Sequence, residues 1–247
     1  MTKLTVILPA AGKGERLNLP YPKEILRINQ SKALIDNSFD LFDGKYREDI
    51  QFVVIINEEK TEIIKYLSKY KRQFNISFTF QNPDEQEYTG AIKSAKHLFG
   101  DDNIVLLPDT ILTMPSGAKI FDEVKIKLKE NKFTFLFKEE CDEKMLSSKG
   151  SLKLDDNLRV IDYEDKPSKN LSSYNGYWCG FAFKKEVFDD CISFMEQSTL
   201  KIQKPLQSIR ETSIFNSEVI KVKEFKDLGT WQEIGKVLSS QDSIINK

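Results

Sequence analysis

This chain of 247 residues has only three cysteines and one histidine, and almost no net charge. Cys141, Cys179 and Cys191 show no CxxC spacing and are odd in number. A disulfide framework or a zinc site is thereby excluded, and a reducing, cytoplasmic setting is expected. The lone histidine, His97, sits beside Lys93 and Ser94 on the polar side of a helical pattern and reads as a solvated residue. Chemistry built on a histidine base or a nucleophilic triad is therefore not expected. The 37 Lys+Arg residues almost balance 38 Asp+Glu, for a net charge of −1, so no basic field favours nucleic acid or a membrane surface. The longest apolar runs are of strand length, far below the roughly 20 residues of a membrane span. Met1 to Leu8 enters a strand pattern at once, without the basic start and long apolar stretch of a signal peptide.

What is present is the composition of a globular enzyme-sized chain, 40% hydrophobic and 30% charged over 28.6 kDa, enough for one full core. Leu4–Leu8, Phe52–Ile56 and Ile104–Leu107 are continuous apolar runs, as expected of strands covered on both faces. Amphipathic helices lie between them. Ile63, Leu67, Tyr70 and Phe74 share one helical face, Ala91, Ala95, Leu98 and Phe99 another, and Ile120, Val124 and Leu128 a third. Lys132–Lys138 adds a fifth strand. This alternation predicts an α/β fold with a doubly wound, mostly parallel sheet. After about residue 140 the pattern becomes β-rich: a hairpin of Gly150–Asp155 with Leu158–Tyr163, a strand at Tyr177–Phe183, a helix bearing Val187, Cys191 and Met195, a strand near Val219–Phe225, and a last helix from about Thr230.

The first strand runs into Pro9-Ala10-Ala11-Gly12-Lys13-Gly14-Glu15-Arg16-Leu17, then Pro22-Lys23-Glu24. Small residues at 10, 11, 12 and 14 let the backbone approach a ligand and turn free N–H groups toward an anion. Arg16 and Lys23 add the donors a triphosphate demands. The run is neither a P-loop, which needs GxxxxGK[ST], nor a dinucleotide fingerprint, because Leu17 stands where the third glycine belongs. Asp109, in Pro108-Asp109-Thr110 at the tip of an apolar strand, is either a turn cap or one of the few carboxylates Mg²⁺ requires beside phosphate oxygens. Asp227, in Asp227-Leu228-Gly229-Thr230, reads as the cap of the last helix or as a second such ligand.

The first loop resembles that of the nucleotide-sugar pyrophosphorylases and related nucleotidyltransferases, whose opening motif is a small-residue loop, G-x-G-x-R, followed by P-K. The resemblance extends from Leu4 to about Val237. It implies the nucleotide-diphospho-sugar transferase fold, a Rossmann-like mixed sheet with a smaller β-rich acceptor lobe. Residues 1–247 would form a single domain, with about 1–140 holding the nucleotide and about 141–247 the acceptor. By the same resemblance Leu8, Ala10, Ala11, Gly12 and Gly14 surround the nucleotide, and Gln81 and Gly90 lie toward its base. Arg16 and Lys23 would hold its phosphates, and Asp109 and the D-x-G-T aspartate Asp227 would bind Mg²⁺. Gly150, Asn175 and Gly176 would border the acceptor, Glu164 or Asp165 would accept hydrogen bonds from its hydroxyls, and Lys166 would contact its phosphate. The implied reaction is attack of a sugar 1-phosphate on UTP, CTP or dTTP, with release of pyrophosphate. The short spacing from Arg16 to Pro22-Lys23 is more like the cytidylyltransferases of the methylerythritol-phosphate pathway, so CTP with a non-sugar phosphate or phosphonate is the alternative. An inert nucleotide-binding subunit on the same fold is a second alternative. A homo-oligomer is compatible with either.

Overall fold

A computed structural model describes residues 3–85, 87–199 and 214–245. Its strands are β1 (Leu4–Pro9), β2 (Ile50–Ile56), β3 (Asn75–Phe80), β4 (Asp102–Val105), β5 (Thr110–Thr113), β6 (Phe133–Glu139), β7 (Gly150–Leu154), β8 (Val160–Asp165), β9 (Gly176–Lys184), β10 (Ile220–Val222) and β11 (Glu224–Asp227). The helices are α1 (Asp36–Asp40), α2 (Glu62–Leu67), α3 (Tyr88–Ser94), α4 (Ile120–Glu130), α5 (Glu143–Leu146), α6 (Phe188–Thr199) and α7 (Trp231–Ile245). The main sheet runs β10-β6-β9-β4-β1-β2-β3, and the β7–β8 hairpin joins it through β7 on β9. Strand β9 lies antiparallel between β4 and β6, while the other neighbours on this path pair in parallel.

Alternation along β1 explains the two layers. Leu4, Val6 and Leu8 join the core cluster that includes Phe39 of α1, Ile63 and Leu67 of α2, and Val124 and Leu128 of α4. Ile7 faces the opposite cluster with Ala91 and Ile92 of α3 and Phe194 and Met195 of α6. Successive side chains of a strand point to opposite faces, so an unbroken apolar run is what a doubly covered strand needs. The expected doubly wound, mostly parallel sheet is therefore present.

Several expected elements shift. The run near Val219–Phe225 is two short strands in two sheets: β10 pairs with β6, and β11 pairs antiparallel with β5. Strand β5 itself was not anticipated, because its four residues Thr110–Thr113 show no length of pattern on which to recognise them. The face shared by Ile63, Leu67, Tyr70 and Phe74 is not one helix. After α2 the chain tightens into a 3₁₀ turn at Ser68–Tyr70, and Phe74 is buried just before β3. His97 is exposed, as its polar neighbours imply, and no helix among the described residues is long and apolar enough to cross a membrane.

Candidate active site

The loop after β1 leaves the sheet beside the C-terminal ends of β2 and β4, where ligands gather in open α/β sheets. Its first residues are tied down from below. Ala10 N–H donates to the Ile55 carbonyl at 2.8 Å. Asn57 Nδ2 donates to the Ala11 carbonyl at 2.7 Å and Lys60 Nζ to the Ala10 carbonyl at 2.9 Å. Leu8, Ala10 and Ala11 are thus buried, and Leu8 packs its side chain into the core. Gly12 is exposed, with nothing within 4 Å of where a Cβ would lie, and Gly14 has φ +71°, a conformation that favours glycine. Gly12, Lys13, Gly14, Glu15, Arg16 and Lys23 line a hollow of ≈ 330 Å³.

Lys60 also forms a buried pair with Glu24, 2.8 Å from Oε1 and 2.9 Å from Oε2. Burial raises the Glu24 carboxyl and lowers the Lys60 ammonium from their ordinary values, each opposed by the charge of its partner. Geometry favours the ion pair, because both carboxylate oxygens meet one ammonium that also has a carbonyl partner. The pair fixes Pro22-Lys23-Glu24 against the loop floor and so aims Lys23. Neither residue was singled out in the sequence. Glu58-Glu59-Lys60 reads as a charged turn, and only the fold reveals that its lysine is 4% exposed.

The two distant aspartates come together. Strand β11 pairs with β5 so that Asp227 stands opposite Thr110, next to Asp109, and the Leu228 N–H donates to the Asp109 carbonyl at 3.0 Å. Lys23 Nζ lies 2.5 Å from Asp109 Oδ2. Asp227 Oδ1 accepts from Gly229 N–H at 3.0 Å, and its Oδ2 accepts from Lys149 Nζ at 3.0 Å. A Cβ on Gly229 would lie 2.9 Å from Arg16 Nη2 and 3.0 Å from Asp227 Oδ1, which puts the guanidinium beside this carboxylate. Burial opposes the charge on Asp227, but Lys149, the Gly229 amide and Arg16 together hold its carboxyl below the usual range. One carboxylate just before β5 and one at the end of β11 is a donor set that suits Mg²⁺, which keeps water and phosphate oxygens as its other ligands. Arg16, Lys23, Asp109 and Asp227 therefore share one locality.

A second cleft of ≈ 660 Å³ adjoins the loop, lined by Ala11, Gly12, Asn57, Glu59, Phe80 and Gln81 among others. Gln81 Nε2 donates to the backbone carbonyls of Glu85 at 2.6 Å and Glu87 at 3.1 Å. Two carbonyls cannot donate, so the amide orientation is fixed and its remaining group, Oε1, is an acceptor. Gly90 is buried in the first turn of α3, where a Cβ would lie 2.1 Å from the Glu85 carbonyl oxygen. Glycine is dictated there by the packing of the loop itself.

Among the residues expected to border an acceptor, the Gly150 and Gly176 positions are equally constrained: a Cβ would come within 2.1 Å of Trp178 Nε1 and of the Lys138 carbonyl respectively. Asn175 Oδ1 accepts from Leu154 N–H at 2.7 Å, a bond that joins the strands. Glu164 Oε2 accepts from the Tyr174 hydroxyl at 2.7 Å. The Asp165 carboxyl is raised by burial, against the pull of Lys166. Lys166 is exposed and held at φ +48°, its N–H donating to the Lys149 carbonyl at 3.0 Å. Lys149, absent from the sequence reading, thus adjoins Lys166 through its backbone and Asp227 through its side chain.

A doubly wound sheet with an open glycine-containing turn at one strand end, and basic and acidic side chains converging beside it, is a frame suited to a nucleotide-handling transferase. The model of the Nucleotidyl transferase family matches residues 4–242, and the chain belongs to that family. It is 27% identical over 164 residues, 65% of its own length, to a 2-C-methyl-D-erythritol 4-phosphate cytidylyltransferase of Fusobacterium nucleatum. That match spans 62% of the relative. Among solved structures, a UDP-glucose pyrophosphorylase complexed with UDP-glucose superposes with TM-score 0.72 at 16% identity, over 98% of this chain and 99% of that one. A UTP-bound UGPase from Acinetobacter baumannii gives 0.71 at 15% identity over 98% and 93%. At such identities these structures establish the shared fold.

Proposed function

We propose that this nucleotidyltransferase couples a nucleoside triphosphate to a sugar 1-phosphate, releasing pyrophosphate, with Mg²⁺ as cofactor. The observation that carries the reading is the pairing of β5 with β11, which brings the backbones of Asp109 and Asp227 together, the one carboxylate held by Lys23 and the other beside Arg16. An acceptor phosphate is anionic near neutral pH and attacks the α-phosphorus without a general base, so no histidine is required. What the reaction needs is charge relief and in-line placement. The exposed turn at Gly12 and Gly14 offers its main chain to the phosphates. Arg16 and Lys23 counter their charge from one side, and Lys166 meets the acceptor phosphate from the other. Asp109 and Asp227 would hold the divalent ion, which would supply charge neutralisation at the phosphates. The pyrophosphorylases that share the fold, and the D-x-G-T element carrying Asp227, support a sugar acceptor.

A second reading has a specific observation behind it. With both Gln81 amide hydrogens engaged, the cleft wall offers an acceptor, which suits an exocyclic amino group such as that of cytosine. The cytidylyltransferase relative points the same way. CTP with a non-sugar phosphate is then the pair to test against sugar 1-phosphates. The experiment is pyrophosphate release across UTP, CTP and dTTP, each with several sugar 1-phosphates and polyol phosphates. Release confined to sugar 1-phosphates supports the main reading, and release with CTP and a non-sugar phosphate alone supports the second. Nucleotide binding without release under any acceptor would leave an inert nucleotide-binding subunit.

A further inference from the structure

Each carboxylate of the candidate metal pair already carries an ammonium group. Lys23 holds Asp109 through Oδ2 at 2.5 Å. On Asp227 the oxygen not tied to the backbone, Oδ2, is the one Lys149 occupies at 3.0 Å. The charges fit the same picture. Arg16, Lys23 and Lys149 against Asp109 and Asp227 are three cations facing two anions, and the neighbouring Lys13 and Glu15 cancel. Summed over these side chains, the locality is net positive. A lone divalent cation would enter against that field and would compete with Lys149 for Asp227 Oδ2 and with the Lys23 ammonium for the charge of Asp109. A triphosphate reverses the sign of the locality and offers both lysines new oxygens.

We propose that Lys149 is a positioning residue that locks Asp227, as Lys23 locks Asp109, so that the carboxylate pair accepts a divalent cation only together with a phosphate-bearing ligand. Lys149 is suited to this part by its place in the chain. It immediately precedes β7, and its carbonyl holds the N–H of Lys166, so it connects the acceptor strands to the far carboxylate. The inference rests on the transferase reading for the identity of the ligands, but its test does not depend on turnover.

The probe is Mn²⁺, titrated into the protein without nucleotide and followed by the loss of the free-ion electron paramagnetic resonance signal. Lys149→Met removes the charge and keeps most of the stem. It should bind free Mn²⁺ about tenfold more tightly than wild type, whereas Lys149→Arg should stay within about twofold of wild type. With a non-hydrolysable α,β-methylene nucleotide present, and the binary metal–nucleotide complex subtracted, wild type should tighten and its gap from Lys149→Met should close. Equal Mn²⁺ affinity in wild type and Lys149→Met, or wild-type affinity indifferent to nucleotide, would overturn the lock. The second comparison uses unmodified protein, so it can still overturn the lock where Lys149→Met is found unfolded by circular dichroism, and Lys149→Gln then takes the place of Lys149→Met in the first. A lock that passes both arms in a protein that releases no pyrophosphate would overturn the transferase reading alone.

Discussion

Lys60 shows how much a site can owe to a residue that never meets the ligand. It is buried with Glu24 and the Ala10 carbonyl, and it fastens the turn that carries Lys23. Lys60→Met leaves the Glu24 charge buried and alone, and should lower unfolding free energy by about 3–5 kcal/mol. The double variant Glu24→Gln/Lys60→Met should recover part of that loss. Urea unfolding of the three proteins measures both. At the chemical groups themselves, Lys23→Ala or Asp109→Ala should slow pyrophosphate release at least about a hundredfold, a few kcal/mol of barrier, with the far-ultraviolet circular dichroism unchanged. Gly229→Ala belongs to a third kind. The new methyl would press on the Arg16 guanidinium and the Asp227 carboxylate, both side-chain atoms that can shift. Its melting temperature should hold while the KM for nucleotide rises several-fold. At this scale the sequence was legible where chemistry and backbone freedom coincide, as at Gly14 and Arg16. It was silent on Lys60 and Lys149, whose significance lies in partners distant in sequence.

At the scale of elements, strands with long apolar runs were readable because double coverage leaves no polar alternation to obscure them. The short ribbon of β5 and β11 was not, since each strand has only four residues and its partner lies far away in the sequence. Where elements join, buried charge does the fastening. Asp102, at the start of β4, is 2% exposed and lies 2.5 Å from both Lys125 of α4 and Lys184 of β9. Burial works against its charge, but hydrogen bonds from the two lysines prevail and hold its carboxyl below the ordinary 3.8. A depressed native value means the stabilisation is fully present above that pH and is lost as pH falls toward the native pKa. Relative to Asp102→Asn, the wild-type protein should therefore show a constant advantage in urea midpoint from pH 7 to about 5, shrinking below 3.8. An advantage that grows on acidification would refute the assignment.

Across the whole molecule, the halves expected at about residue 140 are consecutive in the chain but interleaved in the sheet. Strand β9 sits between β4 and β6 and pairs with both. A fragment ending at residue 140 would expose the facing edges of β4 and β6, along with the aromatic core that Phe181 and Phe183 complete. Expressed alone, it should lack dispersed amide resonances and a cooperative melt, while the intact chain unfolds in a single transition followed equally by fluorescence and circular dichroism. Local periodicity locates strands but not the order in which they lie side by side, so this interleaving could not be read from the alternation of patterns.

The β5–β11 ribbon also separates maturation from architecture. One of its carboxylates belongs to a strand made long after the central parallel strands, and it reaches its neighbour only when that late segment docks. A growing polypeptide can therefore complete β1 to β4 and offer its glycine turn to solvent while still lacking half of its acidic pair. The proposed acidic pair would be completed only when β11, the last in order of the described strands, docks on β5.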